Sequence, residues 1–193
     1  RSHYKTAYKI DERRVLSGKF RKIYSEVMGR QYDSAEVMQS ARYSVRQCNF
    51  GNTYSSFNMG AGEDSILDIL DVLQKCPDGS LLVIEEIETG IHPEALVRLA
   101  KNMLKITDEK SLQVIVSTHS SFFIANVPRE ARLYVERADS QHRVLYGPTT
   151  RFAVGLMAGR LDPELHVYCE DSFSQLLIEH ALPSELRRRI RIV

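Results

Sequence analysis

Apolar residues between positions 11 and 28 recur near helical spacing, at Val15, Leu16, Phe20, Ile23, Tyr24 and Val27. That period predicts an amphipathic helix, and Gly29 is a fitting stop. Residues 41–47 alternate as a strand does, and residues 49–52 read as a loop. A second helix is predicted over 63–73, with Ile66, Ile69, Leu70 and Leu73 on one face and Pro77-Asp78-Gly79 as the turn behind it. Residues 80–84 are a short continuous apolar run, the mark of a strand buried on both faces. Pro93 suits the first turn of another helix, where its missing N–H costs little. Leu96, Leu99 and Met103 supply that helix's buried face, and residues 112–116 make a second buried strand. Residues 131–136 and 144–146 flank a polar turn and predict a hairpin.

After Thr149 the pattern restarts. A helical stretch over 152–158 leads to Asp162-Pro163, then a strand over 165–168, a helix over 172–181, a break at Pro183 and a strand over 189–193. Strands alternating with helices imply a parallel α/β sheet. A boundary is expected between about 150 and 163, giving a first unit 1–150 and a short second segment 163–193. No internal repeat is visible.

Composition narrows the class. Of the 193 residues, 43% are hydrophobic and 26% charged, ordinary for a globular domain. The net charge of +1 gives no global field toward nucleic acid or membrane. Arg187, Arg188, Arg189 and Arg191 form a local basic cluster, read either as a solvated face or as a phosphate contact. Cys48, Cys76 and Cys169 fit neither a zinc site nor a disulfide framework and read as buried thiols in a reducing compartment. No apolar run approaches the roughly 18 residues of a membrane span. The start lacks a signal-peptide pattern, so a cytoplasmic protein without a membrane partner is expected. The chain opens on Arg and its last strand stops at Val193, so it reads as a piece of a longer protein.

The chemistry concentrates at strand ends. Ser80-Leu81-Leu82-Val83-Ile84 runs into Glu85-Glu86, two carboxylates where open α/β sheets place ligands. One can enter a Mg²⁺ shell while its neighbour orients or deprotonates a water. Taken alone, the run equally fits a buried strand ending in solvated acids. The strand at 112–116 runs into Ser117-Thr118-His119-Ser120-Ser121, and a histidine there can hydrogen-bond a phosphate oxygen. Between them lies Glu88-Thr89-Gly90-Ile91-His92-Pro93. Its glycine permits a turn, and His92 is open to two roles, helix cap or catalytic group. Upstream, Phe57-Asn58-Met59-Gly60-Ala61-Gly62-Glu63-Asp64 precedes a helix. Small residues there let backbone N–H groups approach phosphate, and the helix dipole helps.

In that order and spacing the segments resemble the signature loop, Walker B strand, D-loop and switch histidine of ABC-type ATPase heads. The resemblance extends to SMC-like and DNA-repair heads, phage-defence proteins and the overcoming-lysogenization-defect (OLD) nucleases. It implies that Glu85 holds Mg²⁺, that Glu86 and His119 are catalytic, and that Met59, Gly60, Ala61, Gly62 and Glu63 bind a partner protomer's nucleotide. The chain departs from the pattern at Glu85, where Asp is usual, and at Gly60, where Ser is usual, leaving Ser55 and Ser56 as candidate replacements. A Walker A loop, G-x-x-x-x-G-K-[ST], is absent: Gly18-Lys19 is followed by Phe20 and preceded at the required spacing by Arg13. The loop is therefore expected on another segment or chain. Leu165-His166-Val167-Tyr168-Cys169-Glu170-Asp171 is similar to the opening strand of a Toprim domain, with Glu170 as its first, metal-holding acid and Asp171 in place of the usual Gly.

The expected fold is therefore α/β: a partial P-loop NTPase (ABC-ATPase-like) domain with a parallel sheet, then a short Toprim-like segment. The resemblance implies binding and hydrolysis of ATP with Mg²⁺ at a composite site in a homodimer or larger oligomer. A further protein partner and action on DNA or RNA in repair or antiviral defence are implied with it. The alternatives are a non-hydrolysing nucleotide-sensing scaffold and a regulator of a Toprim nuclease.

Overall fold

The computed structural model describes residues 11–40, 43–138, 141–160 and 162–193. The chain forms two compact units, 1–118 and 119–193. The first opens on strand β1 (Glu12–Val15), helix α1 (Gly18–Met28), and strands β2 (Ser34–Gln39), β3 (Ser44–Phe50) and β4 (Asn52–Ser55). The four strands make an antiparallel sheet in the order β1-β2-β3-β4.

The helix expected from residue 11 thus begins only at Gly18. Ahead of it Val15 pairs with Glu36 and Leu16 N donates to Ala35 O. Ser17 then caps the helix by accepting from Phe20 N. Gly29 ends it with φ +70, as its position suggested. Pattern reading gave no strand at β2 because Glu36 interrupts its apolar run. Ala35, Glu36 and Val37 are all buried, and the Glu36 carboxylate is met by Arg13 (2.5 Å) and Gln47 (3.0 Å). The strand expected at 41–47 begins with Ala41 and Arg42, which lie outside the described residues. Its continuation runs to Phe50, and Gly51 (φ +69) turns it into β4 where a loop was expected.

Helix α2 (Ala61–Lys75) lies against β2 and β3, and α1 packs on both α2 and α3 (Pro93–Glu109). Tyr24, Leu67, Leu70 and Leu99 are fully buried in this core, each aliphatic contributing roughly 1.5–3 kcal/mol by leaving water. At the far end of α2 the Lys110 ammonium donates to the carbonyls of Leu73 (2.9 Å), Gln74 (3.3 Å) and Cys76 (2.5 Å). It satisfies acceptors that a helix end leaves open and sets the turn into β5 (Leu81–Ile84).

Strand β5 pairs in parallel with β6 (Gln113–Val116), Leu81 opposite Gln113 and Ile84 opposite Val116. The parallel pairing matches the sequence reading, but burial on both faces does not. Leu81, Val83 and Ile115 are 59%, 60% and 58% exposed. Among the described residues the pair has no further strand, and one of its faces is uncovered.

The second unit holds α4 (Ser121–Ala125), the hairpin β7 (Leu133–Ala138) and β8 (Gln141–Tyr146), and α5 (Thr150–Met157). Strand β9 (Leu165–Val167), helices α6 (Ser172–Ala181) and α7 (Ser184–Arg187), and strand β10 (Ile190–Ile192) follow. The hairpin and the parallel β9–β10 pair are as expected. The division at 118/119 precedes the expected 150–163 because residues 121–157 are tied to the tail. Arg188 grips Glu136 with two bonds (2.8 and 3.0 Å), and Glu164 accepts from Arg189 (2.7 Å), Arg129 (3.2 Å) and Thr149 N (2.5 Å). Two arginines of the basic cluster are thereby engaged within the chain.

A buried carboxylate fastens α2 to the sheet. Glu63, 8% exposed, accepts from the Tyr32 hydroxyl, the Tyr54 hydroxyl (2.5 Å) and Arg30 Nη2 (2.5 Å). Burial pushes its carboxyl up, yet the three donors outweigh burial and hold it below the usual carboxylate range. Burial likewise drives the Tyr32 phenol up to about 12 and the Cys48 thiol up to about 11, so both stay protonated as donors. A depressed carboxyl stabilises the fold above its unfolded value, about 4.3, and the gain fades as pH falls through the lower folded value. Arg30 is a third exposed, which screens its share. In urea denaturation at neutral pH, Glu63→Ala is expected to cost about 2–4 kcal/mol. The gap to wild type should narrow below about pH 4, and a pH-independent gap would contradict the assignment.

Candidate nucleotide site

The two strand ends that carry the candidate chemistry are stitched together. Glu85 and Glu86 follow β5, and Ser117 and Thr118 follow β6. Ser117 N donates to Ile84 O (2.9 Å), Glu86 N to Ser117 Oγ (3.0 Å) and Ile87 N to Ser117 O (3.3 Å). The ladder therefore continues past both strands, although one bond now uses a hydroxyl. Glu85 and Glu86 are both exposed. Glu86 has φ +44, a left-handed conformation that costs a non-glycine residue of order 1–3 kcal/mol. The buried Ile87 and two successive turns, Thr89 N to Glu86 O and Ile91 N to Glu88 O (2.9 Å each), hold it there. His119, exposed, is the next residue after Thr118 and the third after β6.

The turn between the strands has roles the sequence left open or missed. His92 caps α3, its Nδ1 accepting from Glu94 N (3.4 Å), so the capping role is the one observed. Glu88 accepts from the Thr118 hydroxyl (2.7 Å), which ties the turn to the end of β6.

The Met59–Glu63 loop leads into α2 with Gly60 as N-cap and no side-chain cap bond. The first amides of a helix lack intrahelical acceptors and carry partial positive charge. Gly60 and Ala61 are exposed, Met59 is half-buried and Gly62 is buried. The Glu63 side chain is turned inward to Tyr32, Tyr54 and Arg30, so it serves the loop as an anchor and offers no carboxylate to a ligand. Asp64, also in the first turn, is met by Arg46 (3.2 Å) and by Ser56 Oγ (2.6 Å), and Arg46 reaches on to Asp68 (2.7 Å). The Ser56 hydroxyl considered as a phosphate ligand is thus engaged. Arg30 and Arg46 offset the acids that would otherwise cancel the helix dipole. Nothing local in the sequence marked them, since Arg30 and Glu63 are 33 positions apart.

Glycine is required in this loop by packing. A Cβ at Gly62 would run into the Gly90 carbonyl oxygen and lie 2.9 Å from its carbon and 3.0 Å from Ile91 Cα. Gly90 in turn has φ +74 and sits against Ala61 and Gly62 N. The loop and the Glu88–Ile91 turn are therefore in backbone contact.

Among the described residues no group of three or more His, Cys, Asp and Glu side chains is placed to hold a metal. A Mg²⁺ ion is normally held by one or two carboxylates together with substrate phosphates and waters. Glu85, exposed at the end of β5, offers a hard carboxylate oxygen of the kind such a shell takes. Glu170 is exposed beyond β9. Its neighbour Asp171 caps α6 by accepting from Ser174 N (2.7 Å), and this bond holds the Asp171 carboxyl below its usual range.

Comparison with known proteins adds four findings. Residues 1–125 match the family described as AAA domain, putative AbiEii toxin, Type IV TA system. The OLD nuclease of Thermus scotoductus is 26% identical over 114 residues, 58% of this chain and 21% of that protein, so the chain spans about a fifth of that relative. A solved structure from work on ATP-driven dimerization and DNA-stimulated activation of SMC ATPases superposes with a TM-score of 0.53 at 14% identity, covering 72% of this chain and 87% of that one. An SmcHead bound to the C-winged helix domain of ScpA gives 0.49 at 18%, covering 65% and 40%. The fold is thus mixed α/β and similar to an SMC ATPase head. The family match runs through the antiparallel sheet, the 59–63 loop and both stitched strand ends, and by it the chain belongs to the AAA domain family of putative AbiEii toxins of Type IV TA systems.

Proposed function

We propose that this chain is part of an ATP-hydrolysing head that works as a composite-site dimer. The observation that carries the reading is the stitched end of β5 and β6, where a strained Glu86 is held beside Ser117 and two exposed carboxylates follow a parallel strand. Glu86 orients and deprotonates the attacking water. Glu85 holds Mg²⁺, which when bound neutralises charge on the phosphates. His119 donates to the terminal phosphate. The amides of Gly60, Ala61, Gly62 and Glu63, with Met59 beside them, close on the nucleotide of the partner protomer.

The phosphate-cradling loop is supplied by a segment outside residues 1–193 or by another chain. The uncovered apolar face of Leu81, Val83 and Ile115 is the area such a segment would bury. Action on DNA or RNA, in repair or antiviral defence, follows by extension from relatives described as an OLD nuclease and as DNA-stimulated SMC ATPases. So does a further protein partner, by analogy with the head bound to ScpA. A cytoplasmic setting fits these relatives, and no helix among the described residues is long and apolar enough to cross a membrane.

A second reading keeps the nucleotide site and drops hydrolysis: a sensing scaffold, favoured by Gly60 in place of a hydroxyl residue and by the longer Glu85. A third makes residues 163–193 the start of a Toprim-like nuclease that the head, within 1–150, regulates. It rests on the parallel β9–β10 pair with Glu170 just beyond β9.

Two measurements test the composite ATPase site, and the second separates hydrolysis from sensing. Residues 1–193 alone should bind ATP with a Kd of about 1 mM or weaker, because the phosphate-cradling loop is absent; micromolar binding in calorimetry contradicts this. In the full-length protein, Glu86→Gln should lower ATP turnover by about 10²–10⁴-fold while increasing ATP-dependent association in light scattering. Unchanged turnover removes Glu86 from catalysis, and a wild type without turnover leaves the sensing scaffold.

A further inference from the structure

Two contacts noted above belong to one chain of contacts, and no step of the proposed hydrolysis uses them. The first is the hydrogen bond from Thr118 Oγ1 to Glu88 Oε2 (2.7 Å). Thr118 immediately precedes His119 and stands beside Ser117, which already carries the Glu86 amide. The second is the backbone contact of Gly90 with Gly62, where a methyl group on either glycine is obstructed: by the Gly90 carbonyl in one direction, by Ala61 Cβ (3.1 Å) and Gly62 N (3.3 Å) in the other.

Between the two contacts the chain has little slack. Glu88 O accepts from Ile91 N (2.9 Å), Gly90 is fixed at φ +74, and Ile87 and Ile91 are buried on either side. At the far end, Gly62 sits in the first turn of α2, and the next residue, Glu63, is pinned by Tyr32, Tyr54 and Arg30. Packed backbone does not deform continuously, so a shift of the β6 end reaches α2 as a displacement of the 60–63 amides.

We propose that Thr118, Glu88, Gly90 and Gly62 are positioning residues that link the end of β6 to the Met59–Glu63 loop of the same protomer, so that nucleotide bound at a protomer's own strand ends sets the loop it offers to its partner. The inference rests on the reading of the strand ends as a nucleotide site, and it adds the direction of communication within one protomer. The chemistry is specific. Glu88 is needed as a hydrogen-bond acceptor, so Glu88→Gln keeps the link and Glu88→Ala breaks it. Thr118 is needed as a donor, so Thr118→Ser keeps it and Thr118→Val, nearly equal in size, breaks it.

The test is hydrogen exchange of the 60–63 amides in the full-length protein, with and without ATP and Mg²⁺. The protein is kept below the concentration at which light scattering shows association, so that no partner covers the loop. ATP affinity of each variant is measured alongside with a fluorescent ATP analogue. In wild type, ATP should change exchange at these amides by about fivefold or more. Thr118→Val should bind the analogue within about twofold of wild type and lose that response, and Thr118→Ser should restore it. An ATP response in Thr118→Val equal to that of wild type overturns the link, as does bound ATP with no response in wild type. Response and affinity falling together in Thr118→Val would make the bond part of the binding site and also overturn it. Wild type that binds no analogue refutes the nucleotide site itself, a result separate from all of these.

Discussion

The ladder between β5 and β6 does not stop where the strands stop. Ser117 carries it one step further, accepting the Glu86 amide on its hydroxyl and the Ile87 amide on its carbonyl. That step holds Glu86 at a positive φ no isolated glutamate would prefer, and it fixes the direction in which the chain leaves β5. The turn through Glu88 and Gly90, its contact with Gly62 and the start of α3 at His92 all follow from that exit. Placing two carboxylates at the open end of a parallel pair is thus a consequence of backbone bonding, with the strain at Glu86 offset by the burial of Ile87.

The first unit also depends on buried charge that is answered within the chain. Glu36 meets Arg13, Glu63 meets Arg30, and Asp71, almost fully buried, meets Arg14 (3.0 Å) and Lys75 (2.9 Å). Such pairs return little net stability against burying a hydrophobic residue, but losing one partner is costly. Their value here is positional. Arg14 and Asp71 join β1 to α2, and Arg30 with two tyrosines fixes the first turn of α2, whose amides form the candidate anion-binding end.

Elements whose signal is local were legible in the sequence. Pro93 opened α3, Gly29 closed α1, residues 172–181 gave α6, and the strand-end acids and Ser117–His119 stood out by spacing. Elements defined by distant partners were not. Strand β2 reads as polar until Arg13 and Gln47 are seen around Glu36, and residues 12–15 fit a helical period until β2 is there to pair with them. The inward anchoring of the Glu63 side chain was not legible, because nothing nearby announces Tyr32, Tyr54 or Arg30. The apolar runs at 80–84 and 112–116 correctly gave parallel strands. They did not give burial, because covering both faces needs neighbours that pattern alone does not supply.

The composite site is tested most directly by mixing two inactive full-length variants. One carries Glu86→Gln with an intact 59–63 loop. The other carries Gly60→Asp, which adds a charge against phosphate at a position with open space for a side chain, and Asp is itself a good helix N-cap. In a symmetric dimer a mixed pair regains one whole site, with Glu86 from one protomer and the loop from the other. At equal amounts, with half the dimers mixed, ATP turnover should recover to about a quarter of wild type. A mixture no more active than its two parents would contradict a site shared between protomers.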